Sequence, residues 1–225
     1  FGGLAYWSIS PPLLKDSATV AGIRAGHLDD TSYFPPRSAQ ALSKWLIISQ
    51  LREHETPDTF YEETLQRMLE CRNLSFISVW SPTFFLKLDQ HLRHKMGNDF
   101  LWNGLWPQLQ VLSCWTDAQS AQWLAPVRER LGAKVTIQGK GLMATEGVTS
   151  VPYPGGDPVL AVRSHFYEFR DTQTTKISLA HELTIGASYE IILTTSGGLY
   201  RYATGDIVEV TAHLDRAPRV KFLGR

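Results

Sequence analysis

The sequence has 225 residues, 43% of them hydrophobic, which is enough to build one large domain or one and a half. Lysine plus arginine and aspartate plus glutamate both total 22, so the charge balance favours neither nucleic acid nor an anionic membrane as a partner. No apolar run approaches the roughly 18 residues of a membrane-spanning helix, and the first residues lack the basic start of a secretory signal.

The cysteines indicate the redox environment, and the two ends of the sequence indicate whether it is a whole protein. Cys71 and Cys114 fall on predicted elements and not in a regular disulfide framework, so we expect a reduced, cytoplasmic environment. The sequence begins with Phe1 instead of methionine and ends at Arg225 directly after an apolar run, which predicts a piece of a longer protein.

The first third of the sequence predicts an irregular segment and then two helices. Prolines and glycines interrupt residues 1–37, so we expect no regular structure there. A helical pattern begins at Ser38 and places four residues on one face: Leu42, Trp45, Leu46 and Ser49. Asp58 can cap the second helix, in which apolar residues recur at spacings of three and four: Tyr61, Leu65, Met68 and Leu69.

The middle of the sequence alternates strands with helices. Short apolar strands are predicted at Leu74 to Trp80, Leu109 to Trp115 and Ala133 to Gln138. Ser81-Pro82 starts one intervening helix, and Asp117 caps another that ends at Gly132. This alternation predicts a parallel sheet with right-handed crossovers.

After Gly139 the helical periodicity ends and short β-type runs take over. They are predicted at Val159 to Arg163, Tyr189 to Thr195, Ile207 to Thr211 and Arg219 to Leu223. The predicted fold is therefore α/β: a parallel strand–helix layer over residues 1–157, succeeded over residues 158–225 by an antiparallel, β-rich or barrel-like subdomain.

Two glycine-containing loops carry the candidate chemistry. The loop from Gly139 to Gly147 comes after the third strand, which is where ligands bind in open α/β sheets. Its glycines let the backbone approach a ligand, Thr145 offers a hydroxyl, and Glu146 offers an oxygen ligand suited to Mg²⁺. On spacing alone, a solvated turn with an ordinary surface glutamate is the more frequent explanation.

The second loop contains Asp206, placed between a tyrosine-rich run and the strand that begins at Ile207. Gly205-Asp206 is also common hairpin-turn chemistry. Trp115 and Thr116 end the middle strand and should line the same crevice, although a tryptophan there is equally well explained as core.

Several other patterns give no site. His91 and His94 have metal-like spacing, but Lys87, Arg93 and Lys95 surround them, so we expect no zinc site. The serine-hydrolase and dinucleotide signatures Gly-x-Ser-x-Gly and Gly-x-Gly-x-x-Gly are missing from the sequence. His165 is best explained as a satisfied structural histidine.

Five short sequence motifs together resemble those of a known family. Ile137-Gln-Gly-Lys-Gly-Leu-Met-Ala-Thr-Glu146-Gly resembles the Tyr-Gly-x-Thr-Glu loop of adenylate-forming enzymes, and Leu199-Tyr-Arg-Tyr-Ala-Thr-Gly-Asp206-Ile-Val their Tyr-Arg-Thr-Gly-Asp loop. Three flanking words narrow the match: Leu105-Trp-Pro, Ser164-His-Phe-Tyr-Glu-Phe169 and Thr194-Thr-Ser-Gly-Gly-Leu-Tyr-Arg-Tyr202. From about Gly22 to Arg225, the sequence is similar to the auxin-responsive promoter (Gretchen Hagen) family of acyl-acid amido synthetases.

This resemblance implies a fold, a reaction and a set of site residues. The fold is that of the large domain of adenylate-forming enzymes, and the reaction uses ATP and Mg²⁺ to activate a small carboxylic acid, whose acyl group passes to an amine such as an amino acid. Thr145 and Glu146 would be catalytic, with Glu146 on the metal and Asp206 on both ribose hydroxyls. The implied nucleotide-binding residues are Trp115, Thr116, Gly139, Gly141, Leu142, Ala144, Thr145, Asp206 and Arg225.

The sequence departs from the family pattern in four places. Leu142 replaces an aromatic residue that stacks on adenine, and Ala203 a larger, often basic one. The family's Ser/Thr/Gly-rich phosphate loop and its lysine-bearing C-terminal domain have no counterpart, and Lys221-Phe-Leu-Gly-Arg225 resembles the approach to the hinge before that domain. We therefore expect the sequence alone not to complete adenylation.

Two alternative functions stay open at this point. The acceptor could be a thiol such as coenzyme A, or the chain could be a catalytically incomplete nucleotide-binding or interaction module. The sequence specifies neither the acid, nor the acceptor, nor an oligomeric state.

Overall fold

The computed structural model describes residues 2–8, 17–18, 24–25, 35–47 and 57–225. The chain divides into two compact units, Phe1–Cys114 with Trp123–Ile137 and Trp115–Gln122 with Gln138–Arg225. The predicted boundary between residues 157 and 158 falls inside the second unit. Ser49 and the breaks at residues 11, 12, 22 and 26 lie outside the described residues.

A five-stranded sheet confirms the predicted parallel layer. In chain order its strands are β1 (Leu4–Trp7), β4 (Leu46–Ile47), β5 (Leu74–Ser78), β6 (Val111–Cys114) and β7 (Thr136–Gly139). β2 (Ser17–Ala18) and β3 (Arg24–Ala25) form a separate two-stranded ladder. The order is β4-β1-β5-β6-β7, with β1 parallel to β4 and β5, and β5 parallel to β6.

The prediction of an irregular start was wrong for the β2–β3 ladder and, most clearly, for β1. This strand has only four residues, too few for a visible period, and it is a strand because it pairs with β4 on one side and β5 on the other. The N–H of Leu4 donates to the carbonyl of Asn73 at 2.9 Å, and that of Ser8 to the carbonyl of Ser78 at 3.0 Å. Partners about 70 residues away thus decide its structure.

In the described part of the chain, five α-helices accompany this layer: α1 (Pro36–Ser43), α2 (Pro57–Glu70), α3 (Pro82–Met96), α4 (Trp102–Leu105) and α5 (Leu124–Leu131). α3 begins as predicted, with the Ser81 hydroxyl accepting the Thr83 N–H at 3.2 Å. The first helix is shorter than predicted, because Leu46 already belongs to β4. No helix in the described part of the chain is both long enough and apolar enough to cross a membrane.

The predicted helix from Asp117 to Leu131 was wrong in its first half. Residues Ala118–Trp123 form a 3-10 helix, and α5 begins only at Leu124. The Asp117 carboxylate does not cap a helix; it accepts the Phe222 N–H at 3.3 Å.

The first unit has its own core, in which one carboxylate is completely buried. Trp102 and Trp106 lie in this core with ring centroids 5.0 Å apart. Asp89 on α3 is 0% exposed and accepts the Trp102 indole N–H at 2.9 Å. Arg130 on α5 and Arg93 on α3 bind the same carboxylate at 3.0 and 2.9 Å. Asp89 thereby joins three helices in the interior.

The second unit contains the predicted antiparallel sheet. A separate hairpin, β8 (Met143–Ala144) and β9 (Gly147–Val148), precedes it. The sheet strands are β10 (Ser150–Val151), β11 (Val159–Leu160), β12 (Phe166–Asp171), β13 (Ile177–Leu179), β14 (Ser188–Thr194), β15 (Tyr202–Leu214) and β16 (Ala217–Gly224). They run in the order β10-β11-β16-β15-β14-β12-β13.

The second sheet differs from its prediction in several strands, and β10 and β13 were not predicted at all. β11 ends at Leu160 instead of Arg163, and β15 is much longer than Ile207 to Thr211. β12 was not predicted as a strand, although it lies between β13 and β14. Its inward residues Tyr167 and Phe169 form one core with Ile191, Leu193 and Val208.

Candidate nucleotide site

A cavity of about 410 Å³ lies within the second unit. Residues from the two sequence motifs and from the segment after β6 line it together, although they are far apart in the chain. Seven of the predicted site residues are among them: Trp115, Thr116, Gly141, Leu142, Ala144, Asp206 and Arg225. The structure thus brings both motifs to one cavity.

The segment after β6 forms one wall, from Trp115 to Ser120. Asp117 fixes it, because its carboxylate accepts the Phe222 N–H at 3.3 Å and the Thr116 hydroxyl at 3.4 Å. Trp115 is 36% exposed, so it is a wall residue and not a core residue. Gly139 does not line the cavity; a Cβ there would lie 2.5 Å from the Thr116 hydroxyl oxygen. Its lack of a side chain makes room for Thr116.

Residues 140–144 form a second wall, and Gly141 sets its course. Gly141 has a φ of +76°, and a Cβ there would lie 2.4 Å from the carbonyl oxygen of Ser150. The Leu142 N–H donates to the Ser150 hydroxyl at 2.9 Å, and its carbonyl accepts the N–H of Thr149 at 2.9 Å. Leu142 is half-buried against the second core and also faces the cavity, so it gives the wall an apolar patch.

Thr145 and Glu146 are the two turn residues of the β8–β9 hairpin, in which Ala144 pairs with Gly147. Thr145 is exposed and Glu146 half-buried. Neither lines the cavity, although β8 immediately before them does. The predicted glycine-containing loop is therefore a hairpin that has both residues in its turn.

Asp206 lies in an interruption of a strand, not between two strands as predicted. On β14, Glu190 pairs with Ile207 and Ile192 with Ala203, so Ile191 alone faces the three residues Thr204, Gly205 and Asp206 of β15. We call these three residues the β15 bulge. The Thr204 hydroxyl stabilises the bulge by accepting the Asp206 N–H and donating to the Ile191 carbonyl, both at 3.1 Å.

The Asp206 carboxylate is only partly satisfied. Its side chain is 4% exposed, and Oδ1 accepts a hydrogen bond from Arg225 Nε at 2.7 Å. No other described residue donates to this carboxylate. The Arg225 side chain is 62% exposed, and its pKa is raised above the ordinary value by this hydrogen bond and by the charge of Asp206, with a smaller contribution from Glu146. One carboxylate oxygen therefore stays available in the cavity wall.

Sequence reasoning missed other residues that line the cavity: Asp117, Ala118, Gln119, Ser120, Lys140, Met143, Phe222 and Gly224. Lys140 carried a usable signal, since it stands between the two glycines of the first motif. Asp117 was interpreted as a helix cap, and Phe222 as an ordinary strand residue. Their place in the wall depends on pairing that the sequence does not display.

The histidine pair on α3 makes contacts of another kind. The His91 ring stacks on Tyr61 with centroids 5.2 Å apart, and its Nε2 lies 3.4 Å from Asp58. Burial, and secondarily the charge of Asp58, raises the pKa of Tyr61. Across the part of the chain that the structure describes, no three His, Cys, Asp or Glu residues are grouped to hold a metal ion.

Structural comparison gives the class of fold. An acyl acid amido synthetase, AtGH3.15 in complex with 2,4-DB, matches 99% of this chain and 48% of its own, with a TM-score of 0.77 and 18% identity. ATP-bound MatB from Rhodopseudomonas palustris matches 99% of this chain and 40% of its own, with a TM-score of 0.52 and 14% identity. The chain has the α/β fold of the adenylate-forming enzymes.

Sequence comparison then shows which known proteins the chain is similar to. Residues 158–225 match the GH3 family central domain. The probable indole-3-acetic acid-amido synthetase GH3.6 of Oryza sativa subsp. japonica is 27% identical over 143 residues, which are 55% of this chain and 29% of that protein. The indole-3-acetic acid-amido synthetase GH3.2 of Arabidopsis thaliana is 43% identical over 53 residues, 24% of this chain and 10% of that protein. The family resemblance is confirmed: the chain is a relative of the GH3 amido synthetases and spans less than a third of these two curated relatives.

Proposed function

We propose that the chain is part of an ATP-dependent acyl-acid amido synthetase, which adenylates a small carboxylic acid and transfers the acyl group to an amine such as an amino acid. The observation that carries this proposal is the Asp206 carboxylate. It lines a cavity formed by both motifs, and Arg225 engages only one of its oxygens. The sequence relatives whose names include amido synthetase support the reaction type.

In this proposal Asp206 binds the ribose of the nucleotide. A carboxylate that accepts from a diol makes charge-assisted hydrogen bonds, which are about twice as strong as neutral ones. Arg225 holds Oδ1 and so orients the carboxylate. Leu142, Phe222 and Trp115 give the cavity an apolar part, suited to cover a base without an aromatic ring at residue 142. Thr116, Gly141 and Ala144 form part of the surrounding wall. Gly139 contributes by leaving room for Thr116.

Thr145 and Glu146 are proposed to meet the phosphates and the metal. Mg²⁺ is usually held by one or two carboxylates together with substrate phosphates and water, so the single carboxylate of Glu146 fits an ion that arrives with ATP. The ion would supply positive charge against the phosphate oxygens. The exposed Thr145 hydroxyl can donate to a carboxylate or α-phosphate oxygen.

We further propose a cytoplasmic location, which the two free cysteines support: Cys71 is half-buried and Cys114 buried. Transfer to a thiol such as coenzyme A is the alternative reaction, and nucleotide binding without catalysis is the alternative role. Both share the proposed nucleotide site, so they differ only in the chemical steps after the nucleotide has bound.

Two measurements test the proposal. Calorimetric titration of this chain with ATP, in the presence and absence of Mg²⁺, should show one saturable site, with GTP binding more weakly. For the full-length gene product, acid-dependent exchange of pyrophosphate into ATP should appear with at least one acid of a panel, and amide product should form on adding amino acids. Absence of ATP binding would refute the nucleotide site. If pyrophosphate exchange occurs but product forms only with coenzyme A, the reaction is thioester formation and not amide formation.

A further inference from the structure

The hairpin that presents Thr145 and Glu146 has little stability of its own. It forms a sheet of only two strands with two residue pairs, Met143 with Val148 and Ala144 with Gly147. Two-residue hairpins favour turns with positive φ, yet Thr145 and Glu146 are not among the positive-φ residues of the described chain. Isolated two-stranded hairpins are marginally stable in water. Contacts from outside must therefore hold this one in place.

Those contacts come from the motif Ser164-His-Phe-Tyr-Glu-Phe169. The Tyr167 hydroxyl donates to the carbonyl of Val148 in β9 at 2.8 Å. The Ser164 hydroxyl lies 2.7 Å from the Tyr167 hydroxyl and 3.0 Å from the same carbonyl. Both hydroxyls thus converge on one backbone oxygen of the hairpin.

His165 supports the other side of the turn. A Cβ at Gly147 would lie 2.4 Å from His165 Nε2, so the ring packs directly against the residue after Glu146. His165 Nδ1 is buried and accepts or donates no hydrogen bond within the described part of the chain. The His165 ring therefore supports the turn by packing against it and not by hydrogen bonding.

Each of the two hydroxyls has one proton to donate. Tyr167 donates its proton to the Val148 carbonyl. Ser164 has three acceptors within reach of its single proton: the Tyr167 hydroxyl at 2.7 Å, the Ala161 carbonyl at 2.9 Å and the Val148 carbonyl at 3.0 Å. Burial raises the pKa of Tyr167, with a smaller lowering by Ser164, so the phenol keeps the proton that it donates.

We propose that Tyr167, oriented by Ser164, is a positioning residue that holds the Thr145–Glu146 turn where the magnesium-bound phosphates are proposed to lie. This inference rests on the proposed function for its ligand and on the hydrogen bonds of Ser164 and Tyr167 for its mechanics. Tyr167 touches no reacting atom; it acts through the Val148 carbonyl and the two-residue turn.

Tyr189 is a matched control in the same core. Tyr167 and Tyr189 are 5% and 4% exposed, and both rings pack against Phe169. The Tyr189 hydroxyl accepts the Thr184 N–H at 3.1 Å and makes no hydrogen bond to residues 143–148. Tyr189→Phe therefore removes a buried hydroxyl without removing the contact under test.

The test compares Tyr167→Phe with Tyr189→Phe by hydrogen exchange of the backbone amides of residues 143–148. Loss of one or two hydrogen bonds should speed exchange of these amides roughly five- to tenfold in Tyr167→Phe only. Ser164→Ala should give a smaller increase, and the double variant should exchange faster than Tyr167→Phe, because the Ser164 hydroxyl also lies 3.0 Å from the Val148 carbonyl and can donate to it in the single variant. Equal exchange in Tyr167→Phe and Tyr189→Phe would overturn the anchoring.

Titration with ATP and with ATP plus Mg²⁺ tests the positioning. The ratio of the two affinities should fall in Tyr167→Phe and stay unchanged in Tyr189→Phe, since only the first displaces Glu146. An unchanged ratio together with faster exchange would overturn the positioning role. If the parent chain binds no nucleotide, the proposed function itself is refuted. The hydrogen-exchange comparison would still decide whether Tyr167 anchors the hairpin. Different measurements therefore test the proposed function and the anchoring.

Discussion

Each of the two units buries an aspartate beside an arginine, and the two aspartates are satisfied differently. Asp89 is 0% exposed, and each of its oxygens accepts from two groups, drawn from Trp102, Arg93 and Arg130. Asp206 is nearly as buried, but among the described residues only Arg225 donates to its carboxylate, and that arginine is mostly in solvent. The first carboxylate has no capacity left for a ligand.

This difference separates a structural carboxylate from a candidate binding carboxylate better than burial does. A buried charge is costly unless paired, and Asp89 meets that requirement through side chains that fold around it. Asp206 meets it only in part, which leaves an acceptor in a cavity. Four carboxylates of the chain test this distinction, beginning with the largest expected effect.

Asp89→Ala should lower the free energy of unfolding by about 3–5 kcal/mol, because it leaves the buried Trp102 indole N–H and the mostly buried Arg130 without their shared partner. Urea unfolding measures the loss. Arg93→Ala is the control: this arginine is 41% exposed, so its removal should cost about 1 kcal/mol or less. A loss for Asp89→Ala no larger than for Arg93→Ala would contradict the structural assignment.

Asp206→Ala should act on binding more than on stability. Two charge-assisted hydrogen bonds to a ribose, at roughly 1.5 kcal/mol each, amount to about a hundredfold in the dissociation constant of ATP. The fold should change little, since Arg225 returns to solvent. Calorimetric titration beside urea unfolding separates the two effects, and an unchanged dissociation constant would make Asp206 a turn residue only.

Glu146→Gln should have a smaller, magnesium-dependent effect. Glutamine keeps the shape and one acceptor but loses the charge that favours a hard cation, so about tenfold more Mg²⁺ should restore ATP binding. Titration at a series of Mg²⁺ concentrations measures this. If the variant and the parent show the same magnesium curve, Glu146 is a surface residue of the hairpin.

Asp171 provides the smallest effect and separates hydrogen bonding from burial. The N–H groups of Thr174 and Gln173 donate to its carboxylate at 2.7 and 2.8 Å on the surface, and they lower its pKa. A lowered pKa contributes stability that is present above the unfolded value of about 3.9 and is lost as the pH falls through the folded value. Asp171→Ala should therefore remove a small part of the decline in stability below about pH 4, as acid unfolding would show. An identical acid transition would contradict this.

The sequence predicted the parallel layer because its signals are local. Ser81-Pro82 begins α3 and Gly132 comes after the last residue of α5, so the alternation of strands and helices was visible along the chain. β1 was missed because four residues carry no period and their partners are distant. β12 was missed because it places the aromatic residues Phe166 and Phe169 on opposite faces, which hides the usual alternation.

The site was predictable in its motifs and not in its geometry. Leu142 and Asp206 were found through short sequence words, and both line the cavity. The bulge that carries Asp206 was not predictable, because it exists only as a mismatch of register between β14 and β15. Asp117 was misread for a related reason: its partner, Phe222, is 105 residues away. Residue types and short motifs therefore indicate candidate site residues, whereas strand register determines where those residues lie in the fold.

The β15 bulge also has a consequence for how this strand could be shortened. Three residues stand where a regular ladder would have one, so the insertion is of two residues, an even number. Since side chains alternate with a period of two, Val208 and Val210 still face the core after it. A deletion of Gly205 together with Asp206 would preserve this inside–outside parity and remove the mismatch with β14, whereas a single-residue deletion would turn every later side chain of β15 to the opposite face. The strand can therefore lose its carboxylate by this two-residue deletion while Val208 and Val210 keep their place in the core.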